Sequence, residues 1–272
     1  MRVEVRHLTR FRFSEAASYS IHQCRLTPRP GEGQRVLHWE IKSPGRGRDW
    51  EDGYGNTLRS FAVTEPHEQI EVLAHGVFEW MREGPEYLRH NEPELLPPAY
   101  WLRNHGLATH EKTIEAFVID LADKSDHPDD RVPLLHELMT RIADRVDYRS
   151  GATDVNDSAA EVLERRAGVC QDHAHLFVAC CRAMGIPARY VSGYLRVHDK
   201  LRGGKVSHAW AEAHVPHLGW IGFDASNGIC PTGDYMKLAV GLDYAEAAPI
   251  TGRRVGGGES AMDVEVAVRV VG

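Results

Sequence analysis

The sequence lacks the features that identify membrane-spanning, secreted or nucleic-acid-binding proteins. No stretch of the 272 residues approaches the roughly 18 consecutive apolar residues of a membrane helix. The first residues, MRVEVRHLTRFRF, alternate charged and apolar side chains and contain no apolar core of a secretory signal. Acidic residues outnumber basic ones by 39 to 32, and the net charge of −7 argues against a basic surface for nucleic acid or anionic lipid. We therefore expect neither nucleic acid nor a membrane as a partner.

Cysteines are few, and their number is odd. The five occur at positions 24, 170, 180, 181 and 230, which is not the arrangement of a disulfide framework. This pattern favours a reducing, cytoplasmic location. A phosphate-binding loop is also missing, because the Gly256-Gly257-Gly258 run is not followed by Gly-Lys-Ser/Thr. What the sequence does have is a hydrophobic content of 42%, enough for a sizeable core.

Hydrophobic periodicity divides the sequence into a β-rich first part and a mixed remainder. Up to about residue 80 apolar residues alternate as in strands, at 2–13, 37–41, 58–63 and 70–77. A proline-rich segment, 83–98, follows. We therefore predict two domains, a β-rich N-terminal domain over residues 1–82 and a core over residues 83–272.

Within this core the sequence predicts helices first and then strands. Apolar residues have helical spacing at 114–121 and 135–146. Ser158 and Glu161 have the pattern of a capping box, and Gly168 is the expected left-handed cap of that short helix. Strands are predicted at 188–195, 206–215 and 220–224, with a final alternating run at 264–270. This order predicts an α+β fold, with helices packed on an antiparallel sheet.

Apolar residues from Cys170 to Met184 lie on or near one helical face, and Gly185-Ile186-Pro187 ends this predicted helix. Cys170 is the strongest candidate for a reactive residue, because it lies in the first turn of this helix, just after a glycine. Unpaired amides and the helix dipole at such a position favour the thiolate, which is the nucleophilic form of cysteine. The same amides can stabilise an oxyanion after attack on an acyl group. The alternative is that Cys170 is a small buried hydrophobic residue like Cys180 and Cys181 on the same helix.

Two further residues can complete a catalytic arrangement with Cys170. His208 lies on the strand 206–215, where His208, Trp210, Glu212 and His214 share one face and three alanines share the other. Asp224 ends the next strand. A hairpin between these strands brings Asp224 beside His208, where a carboxylate orients the imidazole and stabilises its protonated form. We predict Cys170 as nucleophile, His208 as general base and acid, and Asp224 as the orienting residue; the alternative is an ordinary polar strand.

Metal binding is the competing use of these residue types, and the spacings do not favour it. His173 and His175 are two residues apart on a predicted helix and point in different directions. The pair His214 and His217 lacks the cysteine or histidine partners of a zinc motif. We expect no metal and no cofactor.

Several segments resemble the transglutaminase-like superfamily. They are Arg165-Arg166-Ala167-Gly168-Val169-Cys170-Gln171-Asp172-His173-Ala174-His175, Met184–Tyr194, His208-Ala209-Trp210 and Phe223-Asp224. The start His-Leu-Thr-Arg-Phe-Arg-Phe, the turn 52–56 and the segments 239–244 and 256–259 resemble bacterial members described as cysteine proteases, so the resemblance covers nearly the whole chain.

The resemblance implies a papain-like core in which Cys170, His208 and Asp224 form a catalytic triad. It also implies acyl transfer through a thioester, with a peptide or protein amide as substrate. Family members hydrolyse or crosslink different amides, so the fold and the triad leave the substrate open. We favour a protease- or amidase-type hydrolase, since water needs no second binding site. The alternatives are a protein-glutamine transglutaminase and a binding or scaffold protein on the same fold.

Overall fold

A computed structural model describes residues 2–30, 34–80, 95–123, 131–196 and 207–271. The first part of the chain forms five strands of one sheet: β1 (Arg2–Cys24), β2 (Gln34–Lys42), β3 (Gly47–Glu51), β4 (Thr57–Val63) and β5 (His67–Trp80). Their order is β2-β5-β1-β4-β3, and β1 pairs antiparallel with both β4 and β5. The odd-numbered residues Val3 and Val5 of β1 are fully buried, as alternation in a half-buried strand predicts.

The C-terminal strands complete this same sheet. Strands β12 (Ile250–Gly256) and β13 (Ser260–Val270) pair antiparallel with β1, on the side opposite β4 and β5, and make the sheet seven-stranded. The predicted division groups these residues with the core at 83–272. Alternation shows that a segment is a strand but not which strand it pairs with. The division into domains 1–82 and 83–272 remains a prediction.

The remainder has the predicted α+β arrangement. The helices are α1 (Lys112–Ala122), α2 (Arg131–Arg145), α3 (Ala159–Arg165), α4 (Cys170–Ala183) and α5 (Tyr244–Ala247), with two 3₁₀ turns at Pro98–Leu102 and Gly106–Ala108. A four-stranded antiparallel sheet in the order β10-β9-β8-β11 is formed by β8 (Ala188–Leu195), β9 (Ser207–Val215), β10 (Gly219–Phe223) and β11 (Tyr235–Gly241). A short parallel pair, β6 (Asp147–Tyr148) with β7 (Ala167–Gly168), lies just before α4 in the chain. No helix within these ranges has the length and apolarity needed to span a bilayer.

Helix α4 packs against the four-stranded sheet. Ala211 and Ala213 of β9 are fully buried in one apolar cluster with residues of α4 such as Phe177. Because alternate residues of a strand point to opposite faces, His208, Trp210 and Glu212 lie on the other face, as predicted. The small alanine side chains permit close packing of helix and strand, which brings the start of α4 near the start of β9.

The two sheets meet through apolar side chains and through several polar contacts, including those of Gln34 in β2 with the backbone of Lys237 in β11. Tyr194 of β8 and Met236 of β11 lie in one cluster with Val3 and Val5. The Tyr194 hydroxyl lies 2.6 Å from His7 Nδ1, and burial lowers the pKa of His7 to about 4. Asn56 accepts the Val240 amide and donates to the Val240 carbonyl. The N-terminal sheet is therefore tied to the strands that carry the candidate site.

The short helix α3 begins as predicted and ends differently. Ser158 and Glu161 form both hydrogen bonds of a capping box, which confirms that prediction. The left-handed residue after the helix is Arg166, with φ 59°, and not Gly168. Position 168 requires glycine for a different reason, because a Cβ there would lie only 2.8 Å from the Asp172 side chain.

Candidate active site

Cys170 is the first residue of α4 and is partly exposed. The preceding residue, Val169, is extended and offers no side-chain cap. Asp172 supplies part of the cap instead, because its Oδ2 accepts the Val169 amide at 2.7 Å and the Thr153 hydroxyl at 2.7 Å. This carboxylate fixes the turn that presents Cys170.

The first turn of α4 retains amides that can serve as donors. The amides of Asp172 and His173 donate to the Val169 carbonyl. Within the described ranges, those of Cys170 and Gln171 have no such partner, as expected at a helix N-terminus. Two N–H groups therefore remain beside the thiol for a developing negative charge.

His208 and Asp224 are brought together by the β9–β10 hairpin. His208 Nε2 donates to Asp224 Oδ2 at 2.6 Å, and the two side chains are only 8% and 1% exposed. Asp224 directly follows β10 and forms an isolated bridge with Ile229, which closes the loop between them. The hairpin inferred from the sequence thus produces the juxtaposition that was expected of it.

Asp224 accepts three hydrogen bonds on each carboxylate oxygen. The donors to Oδ1 are the Ser226 amide at 3.0 Å, the Ser226 hydroxyl at 2.7 Å and the Asn227 amide at 3.2 Å. The donors to Oδ2 are His208, the Asn227 side-chain amide at 2.7 Å and the Tyr235 hydroxyl at 2.7 Å. Charge-assisted bonds of this kind hold the carboxylate ionised and in one orientation. The sequence analysis did not predict the contacts of Asn227 and Tyr235 with Asp224. The polar loop after Asp224 is a signal for Asn227, and no local signal indicates Tyr235.

The protonation of this pair is set by mutual contact more than by burial. Burial opposes the charged form of Asp224, but His208, Tyr235 and Ser226 outweigh it and lower the pKa of Asp224 to about 2. Burial also opposes the charged form of His208. Hydrogen bonds with Asp224 and Cys170 outweigh that effect and raise the pKa of His208 to about 10. At neutral pH the structure therefore favours a carboxylate beside a protonated imidazole.

The structure brings the three predicted residues into one region. Cys170 packs in one cluster with the buried Ala209, which directly follows His208 in β9, and with the buried Tyr190. Cys170 also contributes to the raised pKa of His208, and since Nε2 bonds the carboxylate, Nδ1 is the nitrogen left to face the thiol. Tyr148 is 57% exposed, and burial together with the nearby Cys170 and Asp224 raises its pKa.

A second charged cluster lies on the same face of β9. Glu212 accepts Arg189 Nε at 2.7 Å and Lys237 Nζ at 2.9 Å, and all three side chains are almost fully buried. The Arg189 guanidinium lies over the Trp220 ring, 4.1 Å from its centre. Sequence reasoning placed Glu212 on this face but did not identify its partners.

The other cysteines and the paired histidines have structural surroundings. Burial raises the pKa of Cys180 and Cys181 above the usual thiol range. His173 contacts the carbonyls of Val169 and Val146, whereas His175 accepts the Tyr244 amide. In the described part of the chain no three His, Cys, Asp or Glu side chains are grouped as a metal site.

Two family models match the chain. The model of the transglutaminase-like superfamily matches residues 119–225, a range that contains Cys170, His208 and Asp224, and that of the bacterial transglutaminase-like N-terminal region matches residues 3–79. An uncharacterised protein of Mycobacterium tuberculosis is 32% identical over 292 aligned positions, covering 99% of this chain and 92% of its own length.

Two further similar proteins have names that refer to an enzyme class. A protein-glutamine gamma-glutamyltransferase of Pseudomonas aeruginosa is 30% identical over 118 residues, which is 40% of this chain and 17% of that protein. The solved structure of a candidate cysteine protease from Cytophaga hutchinsonii superposes with a TM-score of 0.76 at 23% identity, covering 100% of this chain and 92% of the other. At this identity the likeness establishes a shared fold.

Proposed function

This chain belongs to the transglutaminase-like superfamily, and on that premise we propose that it is a cysteine-dependent acyl-transfer enzyme with Cys170, His208 and Asp224 as its triad. Its substrate is a peptide or protein amide, and water is the favoured acceptor. The observation that carries the proposal is the 2.6 Å bond from His208 to the fully hydrogen-bonded carboxylate of Asp224, next to the partly exposed Cys170 at the start of α4.

In the first half-reaction the Cys170 thiolate attacks the amide carbonyl carbon and forms the C–S bond. The electron pair of the carbonyl moves to its oxygen, where the amides of Cys170 and Gln171 stabilise the charge. Collapse of this intermediate breaks the C–N bond, and His208 gives its proton to the departing amine. Cys170 contributes to the raised pKa of His208. Acylation of the sulfur removes this contribution, so His208 releases its proton more readily at the step in which the amine departs.

In the second half-reaction water attacks the thioester. His208, now neutral, accepts a proton from the water, and the carboxylic acid departs as the thiolate re-forms. Asp224 holds the imidazole in one orientation through both steps and stabilises its protonated form.

The same acyl-enzyme can pass its acyl group to an amine, which makes a protein-glutamine transglutaminase the second candidate. The observation that favours it is the local similarity to the gamma-glutamyltransferase of Pseudomonas aeruginosa. The two reactions differ only in the acceptor, so one assay separates them. Release of free acid indicates hydrolysis, and incorporation of a fluorescent primary amine into casein indicates transfer.

The reactivity of two partly exposed cysteines, Cys170 and Cys230, tests whether this protein is a cysteine-dependent enzyme. We expect iodoacetamide at neutral pH to modify Cys170 at least tenfold faster than Cys230, whose thiol pKa is raised by burial. The His208→Asn variant should lose this difference, and Cys170→Ala should lose all turnover on a peptide library, whereas Cys230→Ala should retain it. Equal, slow labelling of both cysteines would favour a binding or scaffold protein instead.

A further inference from the structure

Strand β13 is a long sheet edge. It pairs with β1 along one side over Val264, Val266 and the flanking residues, and no described strand pairs with its other side. The strand has 11 residues, SAMDVEVAVRV, without proline or glycine. An edge of this length, without a proline or a bulge to interrupt it, offers a row of unpaired N–H and C=O groups to another strand.

The face that β13 turns toward the protein core is apolar and partly uncovered. Its even-numbered residues, from Met262 to Val270, lie across from the odd-numbered residues of β1, which are buried except for the partly buried Phe11. Val266 and Val268 still touch the core cluster, but Met262 is 62% exposed and Val270 is 52% exposed. The apolar row therefore extends at both ends beyond the residues of β13 that pack on the core.

The opposite face of β13 is charged, and its charges are unevenly placed. Asp263 and Glu265 lie toward one end, where Arg10 of β1 bonds Glu265 at 2.6 Å and lies 3.8 Å from Asp263. Arg269 lies toward the other end. An antiparallel partner with the same sequence therefore presents its basic end to the acidic end of this strand.

Only some registers of such a self-pairing are compatible with both faces. Pairing even with even residues keeps the apolar rows on one face, as the period of two requires. A twofold axis at Glu265 would set two glutamates directly opposite each other. An axis at Val266 sets Asp263 opposite Arg269 on both sides of the axis, Val264 opposite Val268 and Met262 opposite Val270. An axis at Ala267 pairs a shorter part of the strand.

We propose that two copies of this chain associate through antiparallel pairing of their β13 strands about Val266, which joins the two N-terminal sheets into one. The strand that pairs with this edge belongs to a second copy of the chain, because in this register the charges of two antiparallel β13 strands are complementary. The proposal is independent of the proposed enzymatic function, since it uses no residue of the candidate active site.

Charge reversal tests both the association and its register. We expect the wild-type protein to be a dimer at the highest concentration tested, about 0.5 mM, and to sediment there with about twice the 30.5 kDa mass of the chain. Arg269→Glu sets a glutamate opposite Asp263, and Asp263→Arg sets two arginines opposite each other, so each variant alone should associate at least tenfold more weakly. An equimolar mixture of the two variants restores opposite charges at both positions and should dimerise again. Arg253→Glu, an exposed reversal on β12, is the matched control and should leave the dimer intact.

Three outcomes would overturn the proposal: a wild-type protein that stays monomeric, a dimer that survives both reversals, and separate variants that fail to pair when mixed. If a variant does not fold, hydrogen exchange of the wild-type protein provides the second measurement. Amides of residues 261–270 should exchange more slowly at high than at low protein concentration, and exchange independent of concentration would contradict the pairing.

Discussion

Strand β9 carries two charged groups on one face, and they differ in what they can do. His208 is bonded to Asp224, and Glu212 is bonded to Arg189 and Lys237, at similar distances of 2.6 to 2.9 Å. Both groups are mostly or wholly buried. Burial and strong ion pairing therefore do not by themselves distinguish a reactive site from a structural one.

The difference lies in what surrounds each cluster. His208 lies near a partly exposed thiol at a helix start, where a substrate can reach it. Glu212 is fully buried, with one oxygen bonded to Arg189 and the other to Lys237. A group that has both a nucleophile and access can transfer protons, whereas a sealed one holds strands together. The following substitutions test this distinction.

The largest effect is expected at Asp224. Asp224→Asn keeps the shape of the side chain but removes the charge that orients and stabilises protonated His208. We expect turnover to fall about 10³- to 10⁴-fold with KM changed only a few-fold. Steady-state kinetics on any substrate found for the wild-type protein measures this. Normal turnover would remove Asp224 from the mechanism.

Glu212→Gln is expected to act on stability and to leave the chemistry nearly unchanged. Loss of the charge leaves Arg189 and Lys237 together in a buried space, which costs about 3 kcal/mol of unfolding free energy. Urea unfolding measures this loss. The matched control is Glu137→Gln, whose exposed pair with Arg141 should contribute less than about 0.5 kcal/mol. A large drop in turnover of folded Glu212→Gln protein would contradict the structural role.

The smallest effect is expected at Tyr235, on the reactive side of the comparison. Tyr235→Phe removes the hydroxyl, which is one of the three donors to Asp224 Oδ2, and keeps the aromatic ring. A hydrogen bond to a charged group contributes about 1.5 kcal/mol, so turnover should fall about tenfold. The pKa of Asp224 should rise, because the carboxylate loses a donor that favours its charged form. Titration of the Asp224 carboxyl by NMR measures the shift, and an unchanged titration would mean that Tyr235 only fills space.

The local features of the candidate site could be predicted from the sequence because they depend on neighbours in the chain. The helix start at Cys170 follows from the short capped helix before it and from the helical spacing of the apolar residues after it. The shared face of His208 and Glu212 follows from the two-residue period of a strand. The approach of Asp224 to His208 follows from a hairpin with few residues between its strands. The catalytic roles of these residues remain predictions.

What could not be predicted depends on contacts between distant segments. Tyr235 reaches Asp224 from β11, and Lys237 reaches Glu212 from the same strand. No local pattern in the sequence indicates that β11 lies at the edge of this sheet. The pairing of β13 with β1 is the extreme case, since alternating valines fit any half-buried position. The polar residues 199–205, between the predicted strands 188–195 and 206–215, lie outside the described residues.

The pairing of β1 with β12 and β13 also sets the order in which the molecule can be completed. Arg10 bonds Glu265, 255 residues further along the chain. During synthesis β1 leaves the ribosome before β12 and β13, and one of its two sides lacks these partners until the residues between them have followed. Contacts this distant in sequence form late and slowly. Until then β1 exposes an open edge and an incompletely covered apolar face, so the nascent chain is most prone to aggregate just before β12 and β13 arrive.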